Sequence, residues 1–465
     1  MDSILFWNDV ALEANRVSHT DGKKEQNGPT LSSRALAIVH LAMYDAYAGI
    51  NGGLPAYLPG LPSGNGSPQA AVAAAAHATL STLFPSQKAF FDTKLSEAGT
   101  ILDPGHDFGI AVAQAILQDR AADPSDSDAG YVPSLARGRH RSDPDNPGQP
   151  FNAPFYGPRS KGFAITVRHE LDDPPFDSPE YLNALREVRG RGIAPELMGT
   201  LPNNISARTI DQTLIGIFWG YDGASGLGTP PRLYNQIVRR LAIAKNNTEA
   251  QNARLFALVN AAMGDAGILA WQQKYRYNLW RPVLGIREHD QSMGLAGEAD
   301  NNISDNTDTG WLPLGAPKTN SVGAKNFTPN FPAYPSGHAT FGAAAFHITR
   351  LFYGVPCGDR GSDNLFDGLD FVSDEFNGVN VDNKGTIRPR HVRNFPGGLW
   401  QMIEENGRSR VYLGVHWVFD AFAVGPLGGL DLSRNIGGVP LGLNIAEDIF
   451  NTSNGGIQKS TVMPL

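Results

Sequence analysis

Phe331-Pro332-Ala333-Tyr334-Pro335-Ser336-Gly337-His338 closes a long polar segment and opens an apolar run, Ala339 to Tyr353, that reads as a buried helix. Pro335 and Ser336 suit a helix start, where backbone N–H groups lack internal partners. Gly337 has no Cβ and lets a ligand approach the main chain. A helix N-terminus with a glycine beside a hydroxyl and an imidazole is a ready anion site. On its own the stretch also fits an ordinary capped helix with a buried histidine. The rest of the chain has to decide.

At 465 residues the chain can bury one large core or two smaller ones. It is 41% hydrophobic and 18% charged, the composition of a soluble protein. Its 52 glycines and 33 prolines imply many loops, without a collagen-like or other repeat period. A net charge of −8 with no basic block argues against nucleic acid as a partner. Cys357 is the single cysteine, which excludes an internal disulfide and a cysteine metal cage. The start, Met1 to Trp7, lacks the basic and apolar regions of a signal peptide. With no run of ~18 apolar residues a membrane span is not expected. The reading is a soluble protein, with secreted, periplasmic and cytoplasmic locations left open, and the oligomeric state with them.

Helical patterns dominate. Leu31–Ile50, Gln69–Leu83, Lys88–Ala98 and Gly105–Ala122 suggest an antiparallel bundle. From Asp123 to Pro179 the pattern dissolves into Pro, Gly, Asp and Arg, as in a segment that wraps a surface. Helices resume at Tyr181–Gly190, Ala207–Gly220, Arg232–Lys245, Glu249–Trp280, Ala339–Tyr353, Gly397–Gly414, Trp417–Ala423 and Ile445–Asn451. Phe163–Arg168 is the best strand candidate. The expected architecture is all-α, with an N-terminal helical bundle and covering loop over 1–180 and a C-terminal bundle over 181–465. Asp305–Gly310 begins like a calcium loop but lacks the twelfth-position ligand, and the acceptor patterns at Asn204 and Asn302 read as chance matches.

Cations gather around the opening stretch. Lys274 and Arg281, seven apart in the run ending at Arg281-Pro282, return to nearly the same helix face, with Trp271 one turn earlier. A solvated surface helix shows the same spacing. In Ser409 to Asp420, Arg410 and His416 are six apart, and Gly414 offers the break that lets both enter one site. His416 and Asp420, four apart, place a carboxylate where it can fix the imidazole tautomer. Three cations, a helix N-terminus at Ser336 and Gly337, and two histidines form an oxyanion receptor.

The combination Lys274-x6-Arg281-Pro282, Pro335-Ser336-Gly337-His338 and Ser409-Arg410-x5-His416-x3-Asp420 resembles the three-part signature shared by vanadium-dependent haloperoxidases and type 2 phosphatidic acid phosphatases. Ile4–Asn8, Asn15–Val17, Leu31–Tyr47, Tyr221–Gly223, Gly228–Arg232, Phe331–Phe341, Leu413–Asp420 and Ile436–Asn451 resemble the fungal vanadium chloroperoxidases, with 124–180 and 289–326 the least secure. That likeness implies two four-helix bundles, with the prosthetic group in the second. It implies that Lys274, Arg281, Ser336, the Gly337 N–H and Arg410 bind vanadate oxygens and that His416 ligates vanadium. It also implies that His338 is the acid–base residue, that Asp222 pairs with the second arginine, and that Trp271 and Phe331 line the halide side.

The expected activity is oxidation of chloride, bromide or iodide by hydrogen peroxide to hypohalous acid, which halogenates small organic acceptors. Phosphate, also a tetrahedral oxyanion, is expected to occupy the same site. The alternative is an acid phosphatase in which His416 attacks phosphorus and His338 protonates the leaving group. A helical binding protein without catalysis leaves the cations and histidines unexplained. Phe331 stands where algal bromoperoxidases carry histidine, which points to a chloride-competent pocket.

Overall fold

The computed structural model describes residues 2–99, 102–294 and 306–465. In chain order the helices are α1 (Ser3–Ser18), α2 (Gly28–Asn51), α3 (Pro68–Leu83), α4 (Lys88–Ala98), α5 (Gly105–Asp119), α6 (Tyr156–Arg159) and α7 (Pro179–Arg191). They continue with α8 (Ile210–Phe218), α9 (Pro230–Ala244), α10 (Glu249–Tyr277), α11 (Pro282–Arg287), α12 (Gly337–Phe352), α13 (Gly398–Tyr412) and α14 (Gly438–Thr452). Among the described residues, strand pairing is confined to two short antiparallel ladders, Asp370–Phe371 with Arg393–Asn394 and Ala423–Val424 with Leu430–Asp431. The all-α expectation holds. Helix α1 was not anticipated, and Asp305 and Asn302 lie outside the described residues.

Helix α10 is the spine. A capping box starts it, with Thr248 accepting from Gln251 and the Gln251 side chain returning to the Thr248 N–H. It packs on α2, α12 and α14, while α2, α3 and α5 pack on one another. Its 29 residues are long and apolar enough to cross a membrane, but 94% of its most apolar window is buried inside the protein. It is a core helix.

Helix α12 carries the quoted stretch at its start, and every residue from Gly337 to Leu351 is buried. It lies against α9, α10, α13 and α14. The contact with α14 is close because Gly442 has no side chain: a Cβ there would stand 2.5 Å from the Thr340 carbonyl oxygen. The run up to α12 is laced to its surroundings by the Ala333 N–H on the Leu279 carbonyl (2.8 Å) and the Ser336 N–H on the Asp420 carbonyl (2.7 Å).

Three expectations need correction. Phe163–Arg168 is not a strand. The N–H groups of Phe163, Ala164 and Ile165 instead converge on the buried Asp265 carboxylate at 2.6, 2.8 and 3.0 Å. The helix carrying Lys274 stops at Tyr277, where Asn278 takes the left-handed conformation at φ 52°. Arg281 is therefore the cap residue of α11, not a second step on the same face. Trp417–Ala423 is a single 3₁₀ turn, Val418–Asp420, followed by a strand. Gly414 does break the chain after α13, at φ 74°, and a Cβ there would lie 2.5 Å from the Gly192 carbonyl oxygen.

Candidate functional site

Four segments meet at the N-terminus of α12: the α10–α11 junction, the 331–338 stretch, the Gly220–Asp222 turn, and the end of α13 with its 3₁₀ turn. Ser336 caps α12, its hydroxyl accepting from the Ala339 N–H at 3.4 Å. His416 and Asp420, brought together by the 3₁₀ turn, are joined at 2.7 Å through Nδ1. The His416 Nε2 lies 2.8 Å from Nη1 of Arg281. Arginine has no lone pair to offer, so Nε2 is the accepting nitrogen and Nδ1 carries the proton to Asp420. The imidazole is thus held neutral, with its coordinating lone pair on Nε2. Burial pushes its pKa well down, and Arg281, Lys274 and Arg410 push it the same way. Burial lifts the Asp420 carboxyl to about 7, against the opposing pull of Lys274, Arg281 and the Trp417 N–H.

His338, the second residue of α12, has its Nε2 2.7 Å from the Gly220 carbonyl. A carbonyl only accepts, so Nε2 carries the proton and Nδ1 is the free base. Burial and then Arg410 bring its pKa down to about 3, with Asp222 opposing. Asp222 grips Arg410 through both guanidinium Nη atoms, at 3.1 and 2.8 Å, and stands 3.9 Å from His338. One carboxylate orients the arginine and biases the histidine.

Lys274 is tied to the loop in front of it. Its ammonium donates to the carbonyls of Pro332 (3.0 Å), Ala333 (3.1 Å) and Pro335, so all three of its protons are taken by the loop before α12. Burial first, then Arg281, lower its pKa well below that of a free lysine. Arg281 is also wholly buried, its pKa brought down to about 9 mainly by desolvation. Its Nε donates to the Phe331 carbonyl and Nη1 to the Val415 carbonyl, both at 2.8 Å. Within this site two buried guanidinium nitrogens lack partners among the described residues: Nη2 of Arg281 and Nε of Arg410. Each such buried N–H costs ~1–3 kcal/mol until an acceptor reaches it.

Trp271 and Phe331 form the apolar wall, their rings 4.9 Å apart. The Phe331 ring lies 5.1 Å from the Lys274 ammonium and 4.8 Å from the Arg281 guanidinium, so it shields both cations. A Cβ at Gly337 would come 3.2 Å from the Trp271 ring, so the wall lies close against the start of α12. A cavity of about 400 Å³ opens onto the site, with Trp271, Phe331, Gly337, His338, Arg410 and His416 in its walls. Lys274, Arg281 and Ser336 sit behind them.

The structure thus gathers every residue singled out in the sequence. It also adds residues that sequence reasoning missed. The His338 carbonyl is held by Asn406 Nδ2 (2.7 Å) and the Tyr234 hydroxyl (3.1 Å). Asn406 lies one turn before Arg410 on α13, a spacing that could have exposed it. Glu375, buried and pushed up to about 7 by desolvation, backs the Gly220–Asp222 turn, where its Oε1 accepts the Tyr221 N–H at 3.4 Å. No local signal marks it, since its partners Thr319, Tyr221 and Arg388 come from three segments.

The donor set suits a tetrahedral oxyanion. Two unpaired guanidinium N–H groups and a helix N-terminus surround one imidazole lone pair. Comparison with known proteins points the same way. Family models for the vanadium chloroperoxidase N-terminal domain and for the VCPO second helical-bundle domain match residues 1–154 and 254–440. Vanadium chloroperoxidase of Curvularia inaequalis is 36% identical over an alignment covering 96% of this chain and 89% of that protein. Two solved structures share the fold. A bacterial vanadium-dependent iodoperoxidase has a TM-score of 0.66 and 19% identity, covering 95% of each chain. A holo-type bacterial vanadium-dependent chloroperoxidase has a TM-score of 0.61 and 16% identity, covering 92% of this chain and 94% of that one.

Proposed function

From the premise that this chain belongs to the vanadium chloroperoxidase family and is a vanadium-dependent haloperoxidase, with peroxide and halide as substrates, we propose how its own residues divide the work. His416 Nε2 is the protein's ligand to vanadium. Arg281 Nη2, Arg410 Nε, the Ser336 hydroxyl and the Gly337 N–H are the hydrogen-bond donors to the vanadate oxygens. The observation that carries this reading is the fixed tautomer of His416: its Nε2 lone pair, which Arg281 Nη1 would release on ligation, lies beside guanidinium nitrogens that lack acceptors among the described residues. Bound vanadate supplies the Lewis acidity that makes peroxide electrophilic toward halide.

The remaining residues hold protons, charge and water in place. His338 takes a peroxide proton on Nδ1, because Nε2–H is committed to the Gly220 carbonyl. Its depressed pKa keeps it available as a base in acid. Asp222 aims Arg410, and Asp420 fixes the His416 tautomer. Lys274 adds positive charge from behind the loop, and its contact with an oxyanion requires release of one of the three carbonyls it now holds. Trp271 and Phe331 exclude water from the side where halide approaches.

The same reading extends to finer points. Chloride, bromide and iodide are all oxidised, Phe331 supporting the chloride activity, and phosphate competes with vanadate for the cradle. The chain divides near residue 180 into an N-terminal bundle with its covering segment and a C-terminal bundle bearing the site. Loading with orthovanadate and assaying peroxide-dependent bromination of a phenol dye tests the core assignment, and an inactive loaded protein would overturn it. Monochlorodimedone that stays unchlorinated at acidic pH would remove chloride from the range.

A further inference from the structure

The cavity above the cradle is larger than halide or peroxide requires. At about 400 Å³ it lies within the roughly 300–1,000 Å³ of small-molecule sites. Its outer walls are Lys24, from the α1–α2 connection, and Lys318 and Phe327, from the loop over 316–327. The lining holds three cations (Lys24, Lys318, Arg410) against one carboxylate, Asp222, which is already committed to Arg410. In a chain of net charge −8 this is a local reversal of sign.

Lys318 is half-buried, and among the described residues no acceptor takes its ammonium, which rests 4.6 Å from the centre of the Phe327 ring. The ledge that carries it is firm. Ala316 and Phe327 exchange backbone hydrogen bonds of 2.8 and 3.2 Å, and Thr319 donates to the buried Glu375 at 2.5 Å. A cation placed beside an aromatic face, on an anchored loop, has little ordering left to do when an anion arrives.

We propose that the outer half of this cavity binds a small aromatic acceptor carrying a carboxylate, of the hydroxybenzoate class, with the carboxylate on Lys318 and the ring along Phe327 toward Phe331. The inference rests on the haloperoxidase reading, which supplies hypohalous acid. An aromatic C–H bond is replaced by a carbon–halogen bond, and the released proton leaves with the hydroxyl of hypohalous acid as water. Holding the acceptor makes halogenation saturable in it and directs it by charge.

The test uses vanadate-loaded wild type, Lys318→Met and Lys318→Arg, with 4-hydroxybenzoate, its neutral analogue 4-hydroxybenzyl alcohol, and iodide alone read as triiodide. Calorimetric titration of 4-hydroxybenzoate gives binding independently of turnover. Lys318→Met is expected to raise KM for 4-hydroxybenzoate about tenfold with kcat nearly unchanged, as loss of one charge-assisted contact does. Binding should weaken in parallel and Lys318→Arg should restore most of both. The alcohol and triiodide rates should stay within about twofold. Equal KM values for the two acceptors in wild type, with no binding in the calorimeter, would overturn the proposal in favour of reaction with free hypohalous acid. A matching fall in triiodide formation in Lys318→Met would also overturn it, assigning the lysine to halide entry. Wild type that binds 4-hydroxybenzoate but oxidises no halide would sink the haloperoxidase reading and leave the subsite standing.

Discussion

Two buried polar clusters built from similar residues stand on either side of α9. In the first, between α1, α2, α9 and α10, the His40 Nδ1–H donates to the Leu36 carbonyl (2.7 Å) and Nε2 accepts from Asn8 (3.0 Å). Asn235 and Asn260 exchange amide hydrogen bonds at 2.8 and 3.0 Å. The second cluster is the cradle, where Arg281 Nη2 and Arg410 Nε have no acceptor among the described residues and three cations crowd one histidine. The first set closes on itself and the second does not. Buried polarity that satisfies itself serves packing, whereas open buried donors with like charges pressed together mark a candidate ligand site.

Removing one histidine from each cluster is the hardest blow to that contrast. His416→Ala should lower vanadate-dependent bromination by more than the about hundredfold that losing an outer-shell partner costs a metal site. Orthovanadate at about 100 times its Kd should stabilise wild type by ~2.7 kcal/mol. That gain, read as a Tm shift, should vanish in His416→Ala and persist in His40→Gln. If His40→Gln also lost the vanadate shift, the two clusters would not be separable.

Next in size is the pH effect that His40 contributes from the closed cluster. Burial brings the His40 pKa down to about 4, whereas the unfolded chain titrates near 6.5. The folded protein therefore refuses a proton that the unfolded chain accepts. The associated stability is present above pH 6.5 and is lost as pH falls toward 4, a change of order 3 kcal/mol. Denaturant midpoints measured from pH 7 to 4 should fall less steeply in His40→Gln than in wild type. Parallel slopes would show that His40 is protonated in the fold.

Asp420→Asn comes third. The amide can still approach His416 Nδ1 but cannot supply a carboxylate, so the tautomer is less firmly set. Vanadate affinity should fall about 10- to 100-fold, with the vanadate-free Tm changing by only a few degrees. An unchanged Kd for vanadate would mean that Arg281 alone fixes the imidazole.

The contrast between clusters also marks what a sequence can and cannot convey. Pro335 to His338, Arg281-Pro282 and Arg410 to Asp420 were legible because each is a local motif with fixed spacing, and Gly414 was legible because a left-handed break calls for glycine. The continuity of Lys274 with Arg281 was misread, since a single Asn278 at positive φ ends the helix and nothing before it signals the stop. Phe163–Arg168 had strand composition, but its first three N–H groups answer to Asp265, about a hundred positions away, and that of Thr166 to Asp448. Glu375 and Lys318 stayed invisible for the same reason: their meaning lies in partners distant along the chain. His40 and His338 each sit inside an alanine-rich helix, and only the state of their hydrogen bonds separates scaffold from site.

The smallest effect is expected where the two clusters touch. Tyr234 and Asn235 are neighbours on α9: Asn235 belongs to the closed network, while the Tyr234 hydroxyl reaches the His338 carbonyl at 3.1 Å and Asn406 Oδ1 at 3.2 Å. Tyr234→Phe removes that hydroxyl but leaves Asn406 Nδ2 on the same carbonyl at 2.7 Å, so no backbone acceptor is stranded. The loss also takes the donor from the buried Asn406 Oδ1, so the cost should be about 1–3 kcal/mol, that of one stranded acceptor. Bromination should change less than about threefold, because His338 keeps its Gly220 contact and its place at the start of α12. A drop beyond about tenfold at unchanged Tm would mean that the hydroxyl tunes His338 directly, and that α9 carries function on the same turn that carries scaffold.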